Sequence, residues 1–246
     1  MQDRSELSSA HSGEPGLVSC LCVTEDRPAF LPWLYWNYAK QDYGARELVL
    51  VDSSSELAPV PEGAAVTVVR CPPRSSVAHK RNLAVEAARG SVLTWFDDDD
   101  WQHPSKLTLL TASLGEDGVL AGSRRSWFVD LHRGRARPHE SERSVVFNSL
   151  GVRRAALDGV SFDEGRARAA DTGWIAAVRR RSHGAVRVLP HVLSCWLCHA
   201  GNISNPATRY VFPHSVATVA DAVGAAAWGE TDEELERLRG RLRGAG

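Results

Sequence analysis

The stretch RNLAVEAARGSVLTWFDDDDWQHPSKL, residues 81 to 107, joins a helical pattern to a short apolar run that ends on four consecutive aspartates. The run SVLTWF has the length and composition of a buried strand. In an extended segment alternate side chains share a face, so Asp97 and Asp99 lie together. Asp98 and Asp100 then share the other face. Because adjacent carboxylates repel one another, the pattern predicts a bound cation, and Mg²⁺ or Mn²⁺ also leaves room for water and phosphate oxygens.

Strand-like and helix-like segments alternate around this stretch. Four apolar runs predict strands: LVSCLCVT (17–24), ELVLVD (47–52), VTVVR (66–70) and SVLTWF (91–96). After the first run Asp26 can cap a helix with Pro28 in its first turn, and Ser75 or Ser76 can cap a helix before the fourth. The alternation predicts an α/β fold with a mostly parallel sheet covered on both faces. In such sheets ligands bind beyond the carboxyl ends of the strands.

Composition and hydropathy exclude several classes of protein. The 246 residues carry a formal net charge of −1, which gives no overall attraction to nucleic acid or to a membrane surface. Residues 1 to 16 are polar and lack an apolar core, so they predict a disordered leader and a cytoplasmic protein. The stretch 215–228 contains Asp221 and is shorter than the roughly 20 apolar residues of a membrane span. It predicts a helix packed on the domain.

The five cysteines, at positions 20, 22, 71, 195 and 198, are an odd set without regular spacing. They do not predict a disulfide framework. CWLCH, residues 195 to 199, has the spacing of a c-type haem attachment site, and Cys195 with Cys198 is half of a zinc-site pattern. Haem attachment of this kind belongs to exported proteins, which the polar N-terminus does not predict. No second Cys/His pair at finger spacing completes a zinc site. Buried thiols are the favoured interpretation.

The stretch 81–107 resembles the core signature of family 2 glycosyltransferases of the GT-A fold. That signature has a helix led by Arg-Asn, a Gly, a strand, an acidic DxD-type run, and a Pro before a Lys-Leu helix. The turn TEDRP after the first strand, and LVLVDSSS in place of V-V-D-D-G-S, extend the resemblance over residues 17 to about 110. The resemblance implies a Rossmann-like sheet flanked by helices, with a smaller mixed second half. It also implies inversion at the anomeric carbon, a divalent Mn²⁺ or Mg²⁺ ion, and a nucleotide-sugar donor, with a UDP-sugar favoured.

The family's donor-binding residues are carried over by position. Asp99 resembles the metal ligand on the donor diphosphate, and Asp97 and Asp98 resemble the contacts to the ribose and the base side. Thr24 and Asp52, at the ends of the first two strands, fall where the family holds the base.

Three basic residues are further donor-site candidates. Arg74, Lys80 and Arg81 can meet the base or the phosphates, and surface solvation is an equal alternative for Arg74. Ser53 stands where the family often has a second acid, a departure that bears on the preference for uracil.

Displacement at the anomeric carbon needs a base that takes the acceptor proton. FDEGRARAADTGW, residues 162 to 174, resembles the family segment that supplies this base, and Asp171 takes its position. Ala170 replaces the Glu that usually precedes it. Asp163 and Glu164 are rival candidates, and an ordinary helix-surface Asp is the other alternative.

Later segments add candidates for the metal and the acceptor. HAGNISN, residues 199 to 205, resembles a family segment whose His approaches the metal or diphosphate, so His199 is a candidate metal ligand. A structural His is the alternative. Trp101 and Trp174 are candidates for stacking on sugar rings or for the core. The Arg-rich stretch 125–143 predicts either a mobile loop over the acceptor or a solvated hairpin.

The sequence therefore predicts a metal-dependent inverting glycosyltransferase that acts on a soluble small molecule, peptide or glycan, without nucleic acid and without an integral membrane segment. A nucleotidyltransferase is one alternative, although TEDRP lacks the Gly-rich basic loop of that class. A non-catalytic nucleotide- or glycan-binding module is another, because the Glu is missing at position 170. The predicted organisation is a leader (1–16), a GT-A domain (17–212) with nucleotide-binding (17–110) and acceptor (111–212) halves, and a C-terminal helical tail (213–246).

Overall fold

The computed structural model describes residues 13–56, 59–62, 65–165, 170–182, 186–200, 202 and 210–244. The strands in chain order are Glu14–Thr24 (β1), Arg46–Asp52 (β2), Val66–Arg70 (β3), Gly90–Trp95 (β4), Trp101–Gln102 (β5), Leu120–Ser123 (β6), Arg125–Asp130 (β7), Arg135–Glu140 (β8), Gly151–Arg153 (β9), Val186–Leu189 (β10), Ser194–Cys198 (β11) and His214–Ser215 (β12). The helices are Leu31–Ala39 (α1), Val77–Ala87 (α2), Lys106–Leu114 (α3), Ala170–Ser182 (α4), Ala217–Val223 (α5), Ala225–Trp228 (α6) and Thr231–Gly244 (α7).

The first sheet has seven strands in the order β10-β6-β9-β4-β1-β2-β3. Among its described strands only β9 runs antiparallel to its neighbours, which confirms the predicted mostly parallel sheet. Thr24 on β1 lies beside Asp52 on β2, and Leu21 lies beside Trp95 at the end of β4. The register therefore brings the carboxyl ends of the first, second and fourth strands to one edge.

Both faces of this sheet are covered by helices. Leu21, Val49 and Val51 face the core cluster that contains residues of α2 and α4. The alternate residues, among them Cys22 and Leu50, face the cluster that contains residues of α1 and α3. Burial on both faces explains why these strands are continuously apolar, because neither face meets water.

The second sheet has five strands in the order β12-β8-β7-β11-β5. The stretch 125–143 supplies its central hairpin, since β7 and β8 pair antiparallel through residues 125 to 140. Trp127 and Val129 on one face of β7 lie in a third core cluster. The stretch is thus a hairpin, as one of the two interpretations predicts, but its first strand is mostly buried and not solvated.

The third core cluster also receives the C-terminal helices. Val219 of α5, Trp228 of α6 and Leu235 of α7 pack in it, together with Trp101. The stretch 215–228 forms two short helices on this core, where one was predicted. The final helix is predicted as solvated or frayed, but one side of it is buried.

Three further expectations are settled by the described residues. Ser76 caps α2, and its hydroxyl accepts a hydrogen bond from the His79 amide at 3.1 Å, as predicted. Asp26 does not cap α1, which begins at Leu31, because its carboxylate accepts hydrogen bonds from the amide and hydroxyl of Ser55 at 2.9 Å. All five cysteines are buried and free, as expected.

Residues 1–12 of the predicted leader lie outside the described part of the chain. Within the described residues, no helix combines the length and apolar character that a bilayer crossing requires.

Candidate active site

The acidic run forms a turn and does not prolong the strand. After β4 ends at Trp95 the chain reverses, and the Asp100 amide donates to the Asp97 carbonyl oxygen at 3.3 Å. The next residues form β5, which pairs antiparallel with β11. The predicted alternation of the aspartates between two faces is therefore wrong, because side chains alternate in this way only along an extended backbone.

Arg27 forms ion pairs with two of the four aspartates of the run. Its Nη1 lies 2.9 Å from Asp98 Oδ1, and its Nη2 donates to Asp99 Oδ2. The other oxygen of Asp98 accepts a hydrogen bond from the Thr24 hydroxyl at 2.7 Å. Sequence reasoning missed Arg27, although its position just after β1 is a signal that it can reach the acidic run after a neighbouring parallel strand.

Asp99 and His199 are brought together from positions 100 residues apart. His199 Nε2 lies 3.2 Å from Asp99 Oδ2 and 3.2 Å from Arg27 Nη2. The Asn202 side-chain amide donates to the same Asp99 oxygen at 3.2 Å. The Phe30 ring packs against both His199 and the Arg27 guanidinium, with centroid distances of 4.5 and 4.6 Å. Asp99 is the point on which these side chains converge.

The pKa values of the buried aspartates are shifted in different directions. Burial raises the pKa of Asp98 to about 7, with the Arg27 charge opposing and the Asp99 charge adding to the rise. Burial also raises the pKa of Asp100 well above its usual value. For Asp99 burial acts in the same direction, but the hydrogen bond from His199 and the charge of Arg27 prevail, and its pKa is lowered. Asp99 is thus the member of the run best held as an anion.

The donor set fits a divalent ion that the protein shares with a substrate. The 3.2 Å between Asp99 Oδ2 and His199 Nε2 is close to the roughly 3 Å between neighbouring ligands of an octahedral ion with ~2.1 Å bonds. In the described part of the chain, no group of three or more His, Cys, Asp or Glu side chains is arranged to hold a metal ion. Asp99 and His199 would leave the remaining positions to water and phosphate oxygens, as Mg²⁺ prefers.

Asp52 lies at the predicted base-binding edge. Its side chain is fully buried, its Oδ2 accepts from Arg70 Nη1 at 2.6 Å, and its Oδ1 accepts from the Ser54 amide at 2.8 Å. The sequence did not identify Arg70 as a candidate site residue. Its side chain is 41% exposed, whereas the Asp52 side chain that it contacts is fully buried.

The basic candidates have different surroundings. Lys80 is buried, and its ammonium donates to Glu25 at 2.8 Å and to the Ser53 hydroxyl at 3.0 Å. Ser53 thus contacts the Lys80 cation at the position where the sequence departs from the family. Arg74 is exposed and has a left-handed backbone with φ 63°, and its amide donates to Glu25 at 2.6 Å.

Asp171 lies in the first turn of α4 and forms an ion pair with Arg81. The Arg81 guanidinium lies over the Phe147 ring at 4.3 Å and the Trp95 ring at 5.4 Å. Burial raises the pKa of Asp97, and the charge of Arg81 opposes the rise while that of Asp171 adds to it. Asp171 is therefore within electrostatic reach of the acidic run.

A cleft of about 580 Å³ opens beside Asp171. Residues 139–145, Phe147 and Ile175 line it together with Asp171 and Thr172. The Asp171 side chain is 40% exposed, so its carboxylate is accessible from this cleft. The arrangement is a cleft of ligand-binding size with a carboxylate in its wall.

The rival candidates have other contacts. Glu164 accepts a hydrogen bond from the Asn82 side chain at 2.9 Å, and Asp163 accepts from the Gly165 amide at 3.0 Å. Neither is among the described residues that line the cleft. Trp101 and Trp174 are 0% and 2% exposed, so both belong to the core and neither offers a face to a sugar ring.

Lys106 stabilises the structure around the acidic run through buried hydrogen bonds. The sequence did not identify it as a site residue. Its buried ammonium donates to the Trp95 carbonyl, the Asn148 carbonyl and Gln102 Oε1, each at 2.7 Å. Asn148 in turn donates from its side-chain amide to Asp100. Lys106 thus ties the end of β4 to the turn that carries Asn148.

We expect Lys106→Met to lower the free energy of unfolding by at least about 3 kcal/mol, because three buried acceptors lose their donor and each costs about 1 to 3 kcal/mol. Urea denaturation measures the loss. Lys40→Met is the matched control, since Lys40 is 42% exposed and pairs with the exposed Glu230. Its expected loss is below about 1 kcal/mol. A loss at Lys106 no larger than the loss at Lys40 would contradict the supporting role.

Comparison with known proteins adds the family context. The family model described as Glycosyl transferase family 2 matches residues 20–171, more than half of the chain. No curated protein matches the chain.

Solved structures are similar in fold. S. aureus TarS 1-349 in complex with UDP-GlcNAc superposes with a TM-score of 0.62 at 17% identity, over 79% of this chain and 61% of that one. Mannosyltransferase PcManGT from Pyrobaculum calidifontis, in complex with GDP-Man and Mn²⁺, has a TM-score of 0.56 at 15% identity, over 93% and 74%. The chain covers 60% of TarS 1-349 in a further structure of that protein. These matches confirm the predicted fold class.

Proposed function

The chain belongs to glycosyl transferase family 2, and from this we propose that it moves a sugar, with inversion, from a nucleoside-diphosphate sugar to an acceptor bound beside Asp171. The observation that carries the proposal is the ion pair of Asp171 with Arg81, whose guanidinium lies over the ring of Trp95, two residues before the acidic run. A donor held at the run and an acceptor held in the cleft then meet at this carboxylate.

Thr24 and Asp52 mark the base end of the proposed donor site. A buried carboxylate accepts hydrogen bonds, so Asp52 suits a base edge that donates, such as the imide of uracil or the N1–H of guanine. The solved neighbours carry UDP-GlcNAc in one case and GDP-Man in the other, so the fold alone does not select the base. We rank UDP first because the sequence resemblance implies it.

Asp99 and His199 are the residues that would hold the divalent ion. When bound, the ion supplies positive charge that stabilises the departing diphosphate. Asp97 and Asp98, two residues and one residue before the metal ligand, would contact the ribose and the base side of the donor. The neighbouring TarS and mannosyltransferase structures support this donor arrangement only at the level of the fold.

Asp171 would act as the general base. The acceptor hydroxyl transfers its proton to the Asp171 carboxylate while its oxygen bonds to the anomeric carbon, and the bond to the diphosphate breaks with its electron pair on the leaving group. Arg81 contacts Oδ1 of Asp171 in the described ion pair, so Oδ2 is the oxygen assigned to the acceptor proton.

Calorimetric titration with UDP tests the donor site. We expect UDP to bind at least about tenfold more tightly with Mn²⁺ than with EDTA, because an ion held by Asp99 and His199 would supply positive charge to the diphosphate. GDP and dTDP are titrated in parallel. If no nucleoside diphosphate binds under either condition, the proposed function is wrong.

Turnover distinguishes the remaining alternatives. UDP release from a UDP-sugar in the presence of small-molecule, peptide or glycan acceptors supports the transferase. Pyrophosphate release from UTP would support a nucleotidyltransferase. Nucleotide binding without either product would support a binding module.

A further inference from the structure

We propose that Arg27 is a donor-site residue that neutralises Asp98 and Asp99 before the metal binds, and then binds the donor diphosphate. The inference rests on the proposed function, because it concerns the same metal and the same donor. It assigns a role to a residue outside the sequence-derived site.

The first step follows from the contacts of the guanidinium. Arg27 contacts Asp98 and Asp99 through separate nitrogens, and His199 lies 3.2 Å from the nitrogen that contacts Asp99. The Asp98 and Asp99 side chains are only 2% and 12% exposed, so water screens this pair weakly. The guanidinium therefore engages both groups, Asp99 and His199, that would ligate the ion.

Two cations cannot share these ligands. The guanidinium contacts the Asp99 oxygen that faces His199, and a divalent ion held by Asp99 and His199 together would use that same oxygen. Like charges at such separations repel strongly in a partly buried site. Metal binding therefore requires the Arg27 head group to leave Asp99.

The second step follows from the position of the displaced side chain. Arg27 lies in the loop between β1 and α1, at the carboxyl edge of the sheet, and its side chain is 25% exposed. It also rests on the Phe30 ring, which keeps the guanidinium near the site. A donor diphosphate brings new anionic oxygens to this edge, and the planar guanidinium suits them well.

A purely structural ion pair predicts something different. If Arg27 only held the β1–α1 loop in place, its loss would disturb Asp99 and weaken metal and nucleotide binding together. The proposed role predicts opposite signs, with tighter metal binding and weaker nucleotide binding.

Electron paramagnetic resonance with Mn²⁺ alone tests the first step. Arg27→Gln should bind free Mn²⁺ about tenfold more tightly than the wild type, since a competing charge-assisted contact is lost. Arg70→Gln is the matched control, because it removes the same charge from the nearby Asp52 without touching Asp99, and its Mn²⁺ affinity should stay near the wild-type value. Unchanged or weaker Mn²⁺ binding by Arg27→Gln would overturn the proposal.

UDP titration at saturating Mn²⁺ tests the second step. Arg27→Gln should bind UDP about tenfold less tightly, because one charge-assisted phosphate contact is lost. Unchanged or tighter UDP binding would overturn this step. Arg27→Lys keeps the competing charge and should bind Mn²⁺ like the wild type. This variant also tests the competition if Arg27→Gln fails to fold. An Arg27→Lys variant that gains Mn²⁺ affinity contradicts the competition.

The two proposals fail in distinguishable ways. If the wild type binds neither Mn²⁺ nor any of UDP, GDP and dTDP, the proposed function fails and the role of Arg27 fails with it. If the wild type binds Mn²⁺ and UDP and the Arg27→Gln affinities do not move in opposite directions, only the role of Arg27 is wrong.

Discussion

Replacement of Asp171 by Asn should lower kcat by about 10²- to 10⁴-fold, the usual contribution of a general base. The amide keeps the shape of the carboxylate and can still accept the Arg81 hydrogen bond, but it cannot take the acceptor proton. UDP affinity should stay near the wild-type value, because Asp171 faces the acceptor cleft. Steady-state kinetics and UDP titration on the same preparation measure both quantities.

The control for this experiment is Glu164→Gln, which removes one negative charge from an exposed residue near α4. Its turnover should match that of the wild type, since Glu164 contacts Asn82 and does not line the cleft. A wild-type turnover of Asp171→Asn would remove Asp171 as the base. A loss that appears in Glu164→Gln instead would transfer the assignment to Glu164.

Replacement of Asp99 by Asn should abolish the Mn²⁺-dependent gain in UDP affinity and lower turnover by about 10³-fold or more. Asp99 is the carboxylate whose pKa is lowered by His199 and Arg27, so it is the anion available to a cation at neutral pH. An amide oxygen retains the shape but loses this charge. UDP titrations with and without Mn²⁺, followed by kinetics, measure the effect.

Asp100→Asn provides a matched control within the same run. Burial raises the pKa of Asp100 well above its usual value, so the neutral amide replaces a carboxyl group whose charged form is disfavoured by burial. Asp100 contacts Asn148 and the Leu197 amide and has no described contact with Arg27 or His199. The Mn²⁺ dependence of UDP binding should persist in this variant. If Asp99→Asn and Asp100→Asn both lose the Mn²⁺ dependence of UDP binding, the acidic run contributes only by maintaining the fold.

The architecture follows from local patterns in the sequence. Continuous apolar runs of five to eight residues predict strands, and β1 to β4 form where those runs occur. Ser76 caps α2 because a hydroxyl at that position reaches an amide three residues ahead, a contact that needs no tertiary partner. The family resemblance of residues 17 to about 110 depends on the same ordered segments, and the family match confirms it.

The predictions from the sequence fail where a residue pairs with another that is distant along the chain. Asp26 is a good helix cap by local rules, yet it bonds to Ser55 across the neighbouring loop. The alternation of the aspartates fails because β5 must turn back to pair with β11, a strand almost 100 residues away. Local propensity is weaker than such contacts, so tertiary structure prevails.

The sequence by itself determined the fold class, the family and the candidate residues of the donor edge. Only the tertiary structure decided their partners: Arg27 with Asp99, Arg81 with Asp171, and Lys106 with the end of β4. The first two pairs join residues 72 and 90 positions apart. Strand register and helix packing set such long-range distances, and hydrophobic periodicity along the chain carries no information about which charge will face which.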